Sequence, residues 1–185
     1  LLCVADMAQD LYQRGYQPQL DDPRWTKGRL AVNCRNTRQI ALLLKKIGGA
    51  QPATACPTGD PVRFIPSRTE QDALAAVRSL ISTHTEFHKR QLSDLVLICR
   101  TANERQKLRE LSTEVAPISS WENRGLGHVA CETFRRIKGL EADHVVVVSF
   151  DGDFSNQELY VSASRARRTL TIIAPPQTGQ LLDLA

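Results

Sequence analysis

Short apolar runs rich in β-branched residues alternate along this chain with longer segments of helical period. The runs are Leu30–Asn33, Val62–Ile65, Leu95–Cys99, His128–Thr133, Val145–Ser149 and Leu170–Ala174, each of a length that suits a strand. Val145-Val146-Val147-Val148 has no polar alternation and predicts a strand buried on both faces. Between the runs, Ile40, Leu43, Leu44 and Ile47 recur at helical spacing and form one apolar stripe, opened by Thr37 and closed by Gly48-Gly49. Thr69 with Asp72, Thr101 with Glu104 and Ser155 with Glu158 have capping-box spacing, so three further helices are predicted to start there. Strands that alternate with helices predict an α/β fold with a mostly parallel sheet. Gln51–Asp60, rich in Pro, Ala and Thr, is predicted as a surface connection, and Pro117–Gly127 as a loop region around one short strand.

Composition refines this picture little. The 185 residues suffice for one packed core, and 42% hydrophobic with 24% charged residues is ordinary globular usage. The net charge of +4 is too small to establish a polyanionic partner, but Arg135, Arg136 and Lys138 cluster, as do Arg165, Arg167 and Arg168. Cys3, Cys34, Cys56, Cys99 and Cys131 are scattered and never at metal-ligand spacing, so they are expected to be reduced thiols of a cytoplasmic protein. No apolar run approaches the roughly 20 residues that span a bilayer, so no membrane partner is expected. A chain that opens without Met on Leu1-Leu2-Cys3-Val4 is expected to be a piece of a longer protein.

The chemistry on offer is that of phosphate recognition without a phosphate cradle. No Gly-x-x-x-x-Gly-Lys-Ser/Thr loop is present, and no acidic pair follows an apolar strand in a position suited to magnesium. Instead, Arg35 follows the first run, Lys138-Gly139 follows His128–Thr133, and Arg165 lies late in the helix opened by Ser155. Ligands of parallel α/β sheets bind outside the carboxyl ends of the strands, so these junctions are expected to face one edge. Guanidinium groups there suit a phosphate chain supplied from outside. His128 and His144 flank strands and are expected to be structural, with no metal site; Trp25 and Trp121 are expected to pack rather than to stack on bases.

Four stretches, in order, resemble motifs III to VI of the UvrD-like superfamily-one DNA helicases. Val4-Ala5-Asp6-Met7-Ala8-Gln9-Asp10-Leu11-Tyr12-Gln13-Arg14-Gly15 resembles motif III, which implies γ-phosphate sensing by Gln9 and contact of Tyr12 with single-stranded DNA. Leu30-Ala31-Val32-Asn33-Cys34-Arg35-Asn36 resembles motif IV, which implies a phosphate-binding Arg35; Cys34 stands where the family has a base-stacking tyrosine. Thr133-Phe134-Arg135-Arg136-Ile137-Lys138-Gly139-Leu140-Glu141-Ala142-Asp143 resembles motif V. It implies nucleotide ribose and phosphate contacts for Lys138, Gly139 and Glu141, and DNA contacts for Thr133 and for Arg135, which replaces a histidine. Leu159-Tyr160-Val161-Ser162-Ala163-Ser164-Arg165-Ala166-Arg167 resembles motif VI, which implies that Arg165 is an arginine finger.

The resemblance implies a RecA-like, P-loop-NTPase-type three-layer fold that lacks its own Walker A loop. Residues 1–28 are then the end of a first motor domain or a linker, and 29–185 the second RecA-like domain. It also implies ATP with Mg2+ held mainly by a first RecA-like domain, single-stranded DNA as partner, and no ATP hydrolysis by this chain alone. The alternative is a non-catalytic nucleic-acid or protein-binding module that keeps the helicase fold.

Overall fold

The computed structural model describes residues 32–88, 92–111, 113, 116–150, 152 and 154–184. Gln9, Tyr12, Trp25 and the whole of 1–28 lie outside the described residues.

Six parallel strands form the main sheet. In chain order they are β3 (Arg63–Pro66), β4 (Leu95–Cys99), β5 (Ile118–Ser119), β6 (Val129–Thr133), β7 (Ala142–Val148) and β8 (Ala166–Ala174), and in space they run β3-β8-β7-β4-β6-β5. The sheet separates two apolar cores because alternate side chains of each strand point to opposite faces. Val145 and Val147 join Ile40, Leu44, Leu159 and Ala163 on one face. Val146 and Val148 join Ala73, Val77, Ile81 and Leu108 on the other. The first face is thus covered by α1 (Arg38–Lys46) and α4 (Asn156–Ala163), the second by α2 (Glu70–His88) and α3 (Ala102–Glu110). A short α5 (Pro176–Leu181) follows β8. This is the three-layer α/β fold expected from the alternation of runs. Among the described residues, no helix is long and apolar enough to cross a membrane.

All three expected capping boxes form. In each, the side-chain oxygen of the first residue accepts the backbone N–H three residues on, and the acid accepts back from the cap: Thr69 with Asp72, Thr101 with Glu104, Ser155 with Glu158. The Asp72 carboxyl is held below its ordinary value by the Thr69 side chain, then by the Arg68 and Thr69 N–H groups and the Arg68 charge. A lowered carboxyl pKa stabilises the fold above the unfolded value and is lost as pH falls through the folded one. Asp72→Asn is therefore expected to flatten the acid limb of a stability-against-pH curve below about pH 4. Glu104 does more than cap: its buried Oε1 also accepts the Phe150 N–H at 2.9 Å, tying α3 to the end of β7. Thr37 precedes α1 but makes no side-chain cap; its Oγ1 donates to the Arg168 carbonyl at 3.3 Å instead.

Two expectations need correction. The described part of the run at Leu30–Asn33, β1 (Val32–Asn33), does not join the main sheet but pairs with β2 (Gln51–Pro52) in a separate two-stranded parallel sheet. The chain returns through α1 and Gly48, whose φ of 103° permits the turn, so the supposed surface connection at Gln51–Asp60 opens as a strand. The junction residues also do not share one sheet edge. Thr133 ends β6 at the carboxyl edge, whereas Glu141 and Arg165 directly precede β7 and β8 at the amino edge, where Ala142 pairs with Ala166. The reason is chain path: residues 134–141 cross back over the sheet as a turn pinned by buried Phe134 and Ile137, and α4 does the same before Arg165.

The thiols divide by burial. Cys56, Cys99 and Cys131 are buried and Cys34 is exposed. The neighbouring Cys131 thiol, then burial itself, push the Cys99 thiol far up, which leaves it without nucleophilic thiolate. Brief treatment of the folded chain with iodoacetamide is expected to alkylate Cys34 and to leave Cys56, Cys99 and Cys131 protected until denaturant is added. Peptide mass spectrometry reads the result; labelling of Cys99 in the native chain would contradict it.

Candidate functional site

Three sequence-distant segments meet at the amino edge. The corner after β1 is built by Asn33, whose Oδ1 accepts the N–H groups of Arg35 at 3.1 Å and Asn36 at 3.3 Å. Asn36, only 2% exposed, carries the corner to the segment between α4 and β8. Its Nδ2 donates to the carbonyls of Ser164 at 3.2 Å and Ala166 at 2.5 Å, and the next N–H, that of Thr37, donates to Arg167 O at 3.2 Å. Buried carbonyls need such donors, so the docking is specific.

With the corner fixed, Arg35 Nε lies 2.9 Å from Glu141 Oε1, both side chains partly exposed. Arg165 stands behind them. It is 2% exposed; Nε donates to Val161 O at 3.0 Å, Nη2 to Ser164 Oγ at 2.7 Å, and Nη1 to Leu140 O at 3.4 Å. Arg35, Glu141 and Arg165 are thus brought together. Farther along β7 and β8, Asp143 pairs with Arg168 at 3.1 Å and Arg167 at 3.7 Å. The edge therefore presents alternating guanidinium and carboxylate groups, which can receive phosphate oxygens on one kind and hydroxyl or amino donors on the other.

The remaining sequence candidates lie along the crossing turn. Lys138 and Gly139 are exposed just before Glu141, and Gly139 has φ of 88°. Nothing crowds a Cβ there, so Gly139→Ala is expected to cost about 1 kcal/mol from left-handed backbone alone, seen as a small drop in Tm without lost packing. Thr133 is 8% exposed at the far end of the turn, and its carbonyl accepts the Arg136 and Ile137 N–H groups. Arg135 is exposed and lies over the Phe134 ring, 4.4 Å from its centroid.

Sequence reasoning missed Glu132. It is 1% exposed, yet Arg109 Nη2 lies at 2.8 Å, Arg136 Nε at 2.9 Å and Arg105 Nη1 at 3.5 Å, and the Trp121 N–H donates to it at 3.3 Å. β5 pairs with β6 only through Val129 and Ala130, which leaves the rest of β6 open at its edge, and Arg109 closes it by donating to Cys131 O. The available signal was a lone acid inside an otherwise apolar strand. His144 and His128 each meet a hydroxyl: their Nδ1 atoms lie 2.7 Å from Thr169 Oγ1 and 3.0 Å from Ser119 Oγ. Among the described residues no cluster of His, Cys, Asp and Glu could hold a metal ion.

Comparison with known proteins adds two findings. A solved structure described as the C-terminal domain of a possible DNA helicase from Lactobacillus plantarum WCFS1 superposes with a TM-score of 0.63 at 24% identity, covering 80% of this chain and 91% of that one; at that identity the likeness establishes the fold. No curated protein matches. The model of the UvrD-like helicase C-terminal domain matches residues 128–173, the stretch that runs from β6 through the crossing turn, β7 and α4 into β8. From residue 128 to residue 173, with Glu141 and Arg165 inside it, the chain is therefore similar to the UvrD-like helicase C-terminal domain.

Proposed function

We propose that this chain is the second motor domain of an ATP-dependent DNA helicase or translocase, contributing to an ATP site shared with a first RecA-like domain. The supporting observation is the convergence of Arg35, Glu141 and Arg165 from three motif-like segments on one edge. Arg35 and Arg165 neutralise phosphate charge, and Glu141 accepts from ribose hydroxyls when Arg35 turns to phosphate. Lys138 and Gly139 border the nucleotide on the exposed turn. ATP with Mg2+, held mainly by the first domain, supplies the free energy of a hydrolysable phosphoanhydride, and Gln9 senses its γ-phosphate. The crossing turn links this edge to the opposite one, so closure of the two domains on nucleotide shifts Thr133 and Arg135, and Tyr12, against single-stranded DNA.

The direct test is Arg35→Ala in the protein that contains both motor domains. Arg35 is half exposed, so its removal barely touches stability, while DNA-stimulated ATPase is expected to fall at least roughly tenfold, in line with one lost phosphate donor. An unchanged ATPase would remove Arg35 from the site. A second reading, a binding module without motor activity, draws on the burial of Arg165; it predicts salt-dependent binding of single strands with no ATPase in the intact protein.

A further inference from the structure

The segment Ala53–Gly59 folds back onto the start of α1 and occupies it. The first N–H groups of a helix have no partner within it and are a ready place for phosphate. Here those of Arg38 and Gln39 donate instead to the carbonyls of Pro57 at 2.6 Å and Thr58 at 3.4 Å. With carbonyls in that place, phosphate is left to the Arg35 side chain.

The same segment grips the corner that presents Arg35. The Ala53 N–H donates to Asn33 O at 2.9 Å, and the buried Cys56 thiol donates to Asn36 O at 2.9 Å. Asn36 is thus held twice, by Cys56 at its carbonyl and by Ser164 and Ala166 at its side chain. Gly59 lies so close to Thr37 that an added Cβ would fall 2.4 Å from the Thr37 Cβ, a clash that must push one of the two segments away. Thr37 in turn donates to Arg167 O and Arg168 O.

We propose that Ala53–Gly59 is a strap that positions Arg35 for the nucleotide phosphates, with the Cys56 thiol as its positioning group. This rests on the nucleotide reading of Arg35 and deepens it, because the strap lies outside the four motif-like stretches and acts only through the corner. A corner released from the strap gives Arg35 more orientations to lose on meeting phosphate, which weakens ATP binding.

The test uses the two-domain protein and reads KM for ATP and kcat in DNA-stimulated hydrolysis. Cys56→Ala is expected to raise KM roughly threefold to fivefold with kcat within about twofold. Cys56→Ser, which restores a donor, is expected to stay within about twofold of the parent KM; a thiol that only fills space predicts no such rescue. Added to Arg35→Ala, Cys56→Ala is expected to raise KM no further, whereas a general loosening of the fold would add its effect. Gly59→Ala, which presses on Thr37 instead, is expected to raise KM about tenfold and takes the place of Cys56→Ala should that variant not fold. The strap assignment is overturned if either folded variant keeps the parent KM, if Cys56→Ser behaves as Cys56→Ala does, or if the effect persists beside Arg35→Ala. When Arg35→Ala lowers the ATPase and the strap variants leave KM in place, the strap alone falls; when Arg35→Ala leaves the ATPase unchanged, the nucleotide reading of Arg35 falls with it.

Discussion

Arg165→Lys in the intact two-domain protein is expected to lower ATPase turnover by a factor of about 10³ or more while leaving a folded protein that still binds single-stranded DNA. The size follows from what a guanidinium gives to a phosphoryl-transfer transition state. Lysine keeps the charge but loses the planar fork, and the surroundings of Arg165 use that fork fully: Nε and Nη2 are committed to Val161 O and Ser164 Oγ. The longest of the named bonds is Nη1 to Leu140 O at 3.4 Å, one residue before Glu141, and it is the donor most readily redirected to a phosphate. Arg165→Ala is a poorer probe. It removes donors from the part-buried Leu140 carbonyl and from Ser164 Oγ, leaving Val161 O with the Ser164 hydroxyl, and is expected to cost about 1–3 kcal/mol of stability, so lost activity would be confounded with lost fold. Turnover near normal in a folded Arg165→Lys protein would sink the arginine-finger role and favour the binding module. Circular dichroism and a DNA-binding isotherm on the same sample supply the control.

What the sequence disclosed was local. Capping boxes at Thr69, Thr101 and Ser155 need only three-residue spacing, and each formed. The continuous valine run needed only burial on two faces, and β7 has it. Strand starts were harder. β8 begins at Ala166, although exposed Arg167 and Arg168 hide the strand pattern until Leu170, because pairing with β7 extends it backward from the apolar part. The site was legible as a set of residue types and obscure as an arrangement. Arg35 and Glu141 are brought together by Asn36, whose two bonds to Ser164 and Ala166 leave no mark in a pattern of apolar positions. The expectation of a common carboxyl edge failed for the same kind of reason, since eight residues, 134–141, suffice to carry the chain across the sheet without a helix. Function at such an edge depends on how tightly that turn is held.

Glu132 anchors the strand that feeds it, and Glu132→Ala is expected to be the most destabilising surface-distant substitution proposed for this chain, costing about 3 kcal/mol. One carboxylate, 2% exposed in its side chain, compensates Arg105, Arg109 and Arg136. Removing the shared partner of buried charges typically costs 3–5 kcal/mol, and the low end applies because the three arginines are themselves 25%, 29% and 57% exposed and are relieved by water. With urea slopes of roughly 1–3 kcal/mol/M, the unfolding midpoint should fall by more than about 1 M. Arg136→Ala, which removes only the most exposed partner, is expected to stay within about 1 kcal/mol of the parent. The contrast is the informative part. Arg136 lies on the crossing turn and also approaches Glu122 at 3.9 Å, so a turn held mainly by Arg136 would make the two variants equally damaging. A carboxylate that mainly ties β6 to α3 through Arg105 and Arg109, as the geometry indicates, separates them clearly. Should Glu132→Ala unfold within 1 kcal/mol of the parent chain, the arginine network is a solvated face and the link between the two sheet edges must be carried by Phe134 and Ile137 alone.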